Sequence, residues 1–157
     1  MTEALLESAV MARLAEVLPQ GVEIVGAWQT FAAGLVKGQD TGEADARAEV
    51  VASPRSFDNF TTPSANFPIA VTLKVRAERD PQGELFAACA DALLALLQSW
   101  QTSIAAVKSA LAVDGFAPCG VKLDGGEVSF DEDAVAYVVS ETFTVRGVVI
   151  SQQTGEQ

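Results

Sequence analysis

Residues 69–100, IAVTLKVRAERDPQGELFAACADALLALLQSW, decide the fold of this chain. In the first ten of them apolar and polar side chains alternate, which is typical of a strand with one buried and one solvated face. Asp80 and Pro81 then have the residue types of an N-cap and a first helical position. Apolar residues follow at three-to-four spacing to about Trp100, which predicts a long helix. The residues expected to face the core are Ile69, Val71, Leu73 and Val75 of the strand and Phe86, Cys89, Leu93, Leu97 and Trp100 of the helix.

The segments before this unit predict a helix, two strands and two loops. Residues 2–18 repeat apolar side chains with helical spacing, and Pro19 and Gly21 end the helix. The expected buried stripe of this helix is Leu6, Val10, Leu14 and Val17. Strands are predicted at 22–28 and 49–53, whereas glycine-rich residues 30–46 and proline-rich residues 53–68 predict loops.

The segments after the unit predict a short helix and three strands. Thr102 or Ser103 can cap a helix in which Ile104, Val107 and Leu111 share the buried face. Asp124-Gly125-Gly126 predicts a hairpin turn between strands at 121–123 and 127–130.

The last strand, about residues 134–150, is unusually long. Apolar residues occupy alternate positions along it, and Glu141 and Gly147 interrupt this pattern. Typical strands have only five or six residues. We expect it to bend, to bulge near Gly147 or to run past its own domain, where its backbone would be open to another chain.

This order of elements predicts one α+β domain over residues 1–150 and a disordered polar tail over 151–157. The sheet is expected to be mixed and mainly antiparallel, with the N-terminal helix and the long central helix packed on one face.

Composition argues against several classes of function. The formal net charge is −11, so nucleic acid and anionic membranes are poor partners for the chain as a whole. There is no histidine, which removes Ser-His-Asp and Cys-His catalysis, and two distant cysteines do not form a zinc motif. The apolar runs are too short to cross a bilayer. We therefore predict no catalytic residue, no cofactor and no metal ligand.

Carboxylates near the C-terminal strands are the remaining reactive groups. Asp124, Glu127 and Asp131 supply oxygen ligands of the kind that Ca²⁺ or Mg²⁺ prefers, and they are the basis of a metal-dependent enzyme hypothesis. Their spacing does not match an EF-hand, and charge runs of this kind are usually solvated turns.

Residues that could contact other polypeptides at the surface are the more promising candidates for a functional site. Basic residues concentrate at Arg55, Lys74, Arg76 and Arg79, and acidic ones at Asp131, Glu132 and Asp133. If the two signs lie on different surfaces, copies can associate head to tail and close into a ring. Ordinary surface charge scatter is the alternative, because exposed ion pairs contribute little affinity. Phe57 and Phe60 of the proline-rich loop can anchor a partner or fold back onto the core.

Four stretches of the chain resemble the tail terminator, or tail completion, proteins of long-tailed bacteriophages and prophages. They are ALLESAVMARLAEVLP (4–19), SPRSFDNFTTPSANFPIAVTLKVRAERD (53–80), LFAACADALLALLQSW (85–100) and ETFTVRGVVI (141–150). The resemblance implies a ring-forming, typically hexameric subunit without an active site. It implies self-association and contact with the tail-tube protein and head-tail connector proteins, first in the bacterial host cytoplasm and then in the virion tail. Another neck or minor tail protein, and a small ligand-binding regulatory module, are the alternative interpretations.

Overall fold

The computed structural model describes residues 2–28, 44–57 and 64–150. Most of the predicted 30–46 loop, the predicted 151–157 tail and Phe60 lie outside these ranges. The helices are α1 (Thr2–Val17), a 3-10 turn (Ala77–Arg79), α2 (Glu84–Thr102) and α3 (Ile104–Leu111). The strands are β1 (Val22–Gly26), β2 (Ala46–Ala52), β3 (Ser56–Phe57), β4 (Ser64–Arg76), β5 (Phe116–Asp131) and β6 (Ala136–Val149).

The described strands form one six-stranded sheet in the order β1-β2-β4-β6-β5, and β3 pairs with the start of β4. Only the β1–β2 pairing within this described sheet is parallel. The predicted α+β class and the mainly antiparallel sheet are therefore confirmed.

β4 carries the predicted alternation along its whole length. Ile69, Val71, Leu73 and Val75 are fully buried, and the residues between them face the other side of the sheet. The strand begins at Ser64, so the loop predicted over residues 53–68 was wrong at 64–68. Pro68 is accommodated because its carbonyl accepts the Ser53 N–H (2.8 Å), and a carbonyl is the one backbone hydrogen-bonding group that proline retains.

α2 begins at Glu84, four residues after the predicted N-cap. Gly83 occupies the N-cap with φ 72°, a left-handed conformation that glycine adopts readily. Asp80 nevertheless caps the helix from outside, because its carboxylate accepts the Leu85 N–H (3.0 Å) and the Phe86 N–H (2.8 Å). Ser103 caps α3 as predicted by accepting the Ala106 N–H (3.1 Å).

The hairpin predicted at Asp124-Gly125-Gly126 was wrong. β5 runs through these glycines with a bulge between Leu123 and Gly125, and the chain turns at residues 132–135 instead. Asp131 fixes that turn, because its Oδ1 accepts the N–H groups of Asp133 and Ala134 (both 3.1 Å).

β6 is long, as predicted, although its 14 residues are fewer than the expected span of 134–150, and the expectation of an open overhang was wrong. β4 pairs with it along one side and β5 along the other, so its backbone is satisfied by its own chain. The expected irregularity near Gly147 occurs in the partner strand, as a bulge between Pro118 and Gly120 of β5. Gly147 itself allows close packing, since a Cβ there would overlap the Ala117 carbonyl and the Phe116 ring.

Helices α1, α2 and α3 cover one face of the sheet and enclose one hydrophobic core. Trp100 of α2 packs on Phe143 of β6, with ring centroids 5.9 Å apart. Two predicted core positions are wrong, because Val17 is 38% exposed and Ile104 is 59% exposed. None of the described helices is both long and apolar enough to cross a membrane.

Candidate interaction surface

The open face of the sheet, opposite the helices, carries half of the chain's ten basic residues. Strand register places Arg47 beside Lys74, and Arg76, Lys122 and Arg146 share the same side. Acidic side chains lie among them, and Glu23 is 3.8 Å from Arg47 across the parallel β1–β2 pair. This surface is therefore mixed in sign, although the chain as a whole is strongly acidic.

A cavity of about 360 Å³ lies at one end of this face. Half of its lining residues are charged, with both signs present: Asp45, Arg47, Glu49, Lys74, Arg76 and Glu78. Lys74 Nζ donates to Asp131 Oδ2 (3.2 Å), and Arg79 Nε lies 3.8 Å from Asp45 Oδ1. The predicted separation of the two signs onto different surfaces is thus wrong, because Lys74 and Asp131 compensate each other within one chain.

Asp131 serves the turn as well as this ion pair. Hydrogen bonds from the Ala134 N–H and from Lys74, together with the Lys74 charge and the Asp133 N–H, lower the pKa of Asp131 below its ordinary value. Glu132 and Asp133 are exposed in the turn itself. The acidic run is accordingly a structured corner whose two outer carboxylates face solvent.

Arg55 and Phe57 lie at the opposite end of β4. Phe57 pairs with Ala65 and is 52% exposed. Arg55 already has partners within its own chain. Its Nε donates to Glu3 (3.3 Å), and its guanidinium lies over the Phe67 ring, 5.4 Å from the centroid. The predicted interaction residues therefore divide between two ends of the sheet, about 33 Å apart at the usual strand rise over ten residues.

A further surface, which the sequence analysis did not predict, lies on the helix side at the far end of β5. Val128 is 69% exposed and Phe130 is 47% exposed. Tyr137 joins them to α2, since its ring lies 5.6 Å from Phe130 and 5.4 Å from Phe86. We call the surface formed by Phe86, Val128, Phe130, Tyr137 and Glu141 the distal shelf.

Glu141 is the charged member of the distal shelf. It pairs with Val71 of β4 and Gly126 of β5, so it lies on the face of β6 that is turned towards the core. The carboxylate lies across Gly126 at the sheet edge, where an added Cβ would overlap it. Burial raises the pKa of Glu141, and no described residue forms an ion pair with it. In the sequence, Glu141 is the acidic residue among alternate positions of β6 that are otherwise mostly apolar, and this pattern was the signal for the site.

The residues of the metal hypothesis do not converge. Asp124 Oδ2 accepts the Thr144 hydroxyl (2.6 Å), and Asp131 is held by Lys74 and the turn. Within ranges 2–28, 44–57 and 64–150, no group of three acidic or cysteine side chains could hold a metal ion. Both cysteines are free, and burial together with the Asp80 charge raises the pKa of Cys89, which disfavours its thiolate.

Comparisons with known proteins bear on the fold. No family model matches the chain, and no curated protein matches it. Among solved structures, it is similar to a chain in the virion of a native gene transfer agent particle, with 15% identity and a TM-score of 0.53. The match covers 93% of each chain, so the likeness extends over essentially the whole fold.

Proposed function

We propose that the protein is a structural component of a phage-like virion, and specifically a tail terminator. In this role it forms a ring, of six subunits by analogy with the resembling family, on the end of the tail tube. The ring stops polymerisation of the tube and offers a joining surface to head-tail connector proteins. Subunits gather in the host cytoplasm before they join the tail.

The observation that carries this proposal is the fold shared with a chain of the gene transfer agent virion over 93% of both chains. The surfaces support it. Contact area for other polypeptides is provided by the open sheet face of mixed charge and by the exposed apolar distal shelf at the edge strand. Mixed charge favours binding to partners with a complementary charge pattern over non-specific binding.

Deletion of the gene in its host, followed by electron microscopy of the particles, tests the proposal. A tail terminator deletion gives tubes of irregular, extended length that lack heads, because nothing stops addition of tube subunits. A plasmid copy of the gene restores uniform, head-bearing particles.

The same images separate the alternative roles. Tails of uniform length that lack heads would instead assign the chain to the neck. Unchanged particles would contradict any structural role in the virion and favour a binding or regulatory module.

A further inference from the structure

Two exposed features lie at opposite ends of the edge strand β5. The first is the distal shelf at its far end, with Val128, Phe130 and the Glu141 carboxylate. The second is the outer side of α3, where Ile104 is 59% exposed and Lys108 follows one helical turn later on the same side. α3 ends at Leu111, five residues before Phe116, the first residue of β5.

The two features have complementary chemistry. On α3 the exposed apolar Ile104 lies beside the positive Lys108, and on the distal shelf the exposed Val128 and Phe130 lie beside the negative Glu141. Among the described residues, neither of these charges forms an ion pair. Burial raises the pKa of Glu141, so its charged form is poorly solvated and would gain from an incoming ammonium group.

The two features cannot meet within one chain. Phe86 of the distal shelf and Thr102, which lies two residues before Ile104, are 16 residues apart in α2, or about 24 Å at the helical rise per residue. A contact between them therefore joins two molecules through two different patches. Such a heterologous contact closes into a ring when the rotation between copies permits, and otherwise forms a filament.

We propose that the outer side of α3 in one copy, with Ile104 and Lys108, docks on the distal shelf of a second copy, with Val128, Phe130 and Glu141. This inference rests on the proposed ring and names the surfaces that build it. Gly126 is part of the docking site because its missing side chain makes room for the Glu141 carboxylate at the sheet edge.

Charge exchange tests the ion pair in the full chain. Light scattering of purified protein across a concentration series gives the oligomer mass and the midpoint of association. We expect Lys108→Glu and Glu141→Lys each to weaken association by about tenfold or more, and the double variant to recover it. Glu141→Gln serves as a second variant, because a lysine at a half-buried position can disturb folding. Glu16→Lys, at an exposed position of α1 outside both surfaces, is the matched control and should assemble like the wild type.

Cysteine cross-linking tests the geometry independently. In a Cys119→Ser background, one chain carries Ile104→Cys and a second carries Val128→Cys. Oxidation of the mixture should give disulfide-linked dimers that contain one chain of each kind, whereas each chain alone should remain largely uncrosslinked. Leu5→Cys, at another exposed apolar position, replaces Ile104→Cys in the control mixture.

The outcomes separate this inference from the proposed function. Assembly that is unaffected by either charge reversal, or equal cross-linking from Leu5→Cys, overturns the α3-to-shelf contact even when the deletion phenotype supports a tail terminator. Protein that stays monomeric and gives no mixed cross-link at any concentration also overturns it. Normal particles after gene deletion contradict the proposed function whatever the cross-linking shows.

Discussion

Glu3 and Glu7 of α1 are buried although their side chains are charged. Glu7 accepts the N–H of Trp28 (2.7 Å) and the N–H of Ala52 (3.3 Å), so one carboxylate ties α1 to the ends of β1 and β2. Glu3 accepts the N–H of Arg55 (3.1 Å) and pairs with its guanidinium. Their helical spacing was visible in the sequence, but their partners lie 21 to 52 residues away, which no local pattern reveals.

Replacing Glu7 tests this anchoring role. Glu7→Ala leaves two backbone N–H groups without an acceptor, so we expect it to lower the free energy of unfolding by about 2–5 kcal/mol in urea titrations. Glu7→Gln keeps one acceptor oxygen and should cost less. Glu16→Ala, at an exposed position of the same helix, is the control, and a loss equal to that of Glu7→Ala would contradict the anchoring role.

Glu3 should make stability depend on pH. Desolvation alone raises the pKa of Glu3, but hydrogen bonds from its own backbone N–H and from Arg55, with the Arg55 charge, lower it overall. A lowered folded-state pKa stabilises the fold above the ordinary glutamate pKa, and this contribution disappears as pH falls through the folded-state value. The difference in unfolding free energy between wild type and Glu3→Gln should therefore shrink between pH 7 and pH 3. A constant difference would contradict this assignment.

At the scale of elements, side-chain caps and strand alternation were predicted more accurately than turns. Ser103 caps α3 as the sequence indicates, and β4 buries the predicted residues. The hairpin turn was misplaced because Asp124-Gly125-Gly126 has the composition of a turn, while Asp131 supplies the hydrogen bonds that form the actual one. A glycine pair also suits a bulge in a long strand, and composition alone cannot distinguish a turn from a bulge.

Asp80 is the element-scale test. Because its carboxylate accepts two N–H groups in the first turn of α2, Asp80→Ala should destabilise the fold by about 1–2 kcal/mol. Asp91→Ala, at an exposed position of the same helix, provides the comparison, measured by thermal and urea unfolding. Equal effects of the two substitutions would show that Asp80 does not act as a cap.

At the scale of the whole molecule, one core joins the described helices α1, α2 and α3 to the sheet, and we predict a single cooperative unit over residues 1–150. Leu93 is fully buried, whereas its neighbour Leu94 is 40% exposed. Leu93→Ala should cost about 2–5 kcal/mol because it leaves a cavity, and Leu94→Ala should cost much less. Tryptophan fluorescence and far-UV circular dichroism should report the same midpoint. Separate midpoints would contradict a single domain.

Local patterns in the sequence determined which residues of β4 and α2 face the core, because alternation and three-to-four spacing follow directly from strand and helix geometry. Local patterns also determined the α+β class. The composition, which contains no histidine, excluded catalytic sites that depend on histidine. Only the tertiary structure decided the strand order, the parallel β1–β2 pair, the place of β6 between β4 and β5, and the position of Glu141 across Gly126 of the edge strand. These features depend on hydrogen bonds and contacts between residues far apart in the chain, which periodicity does not encode.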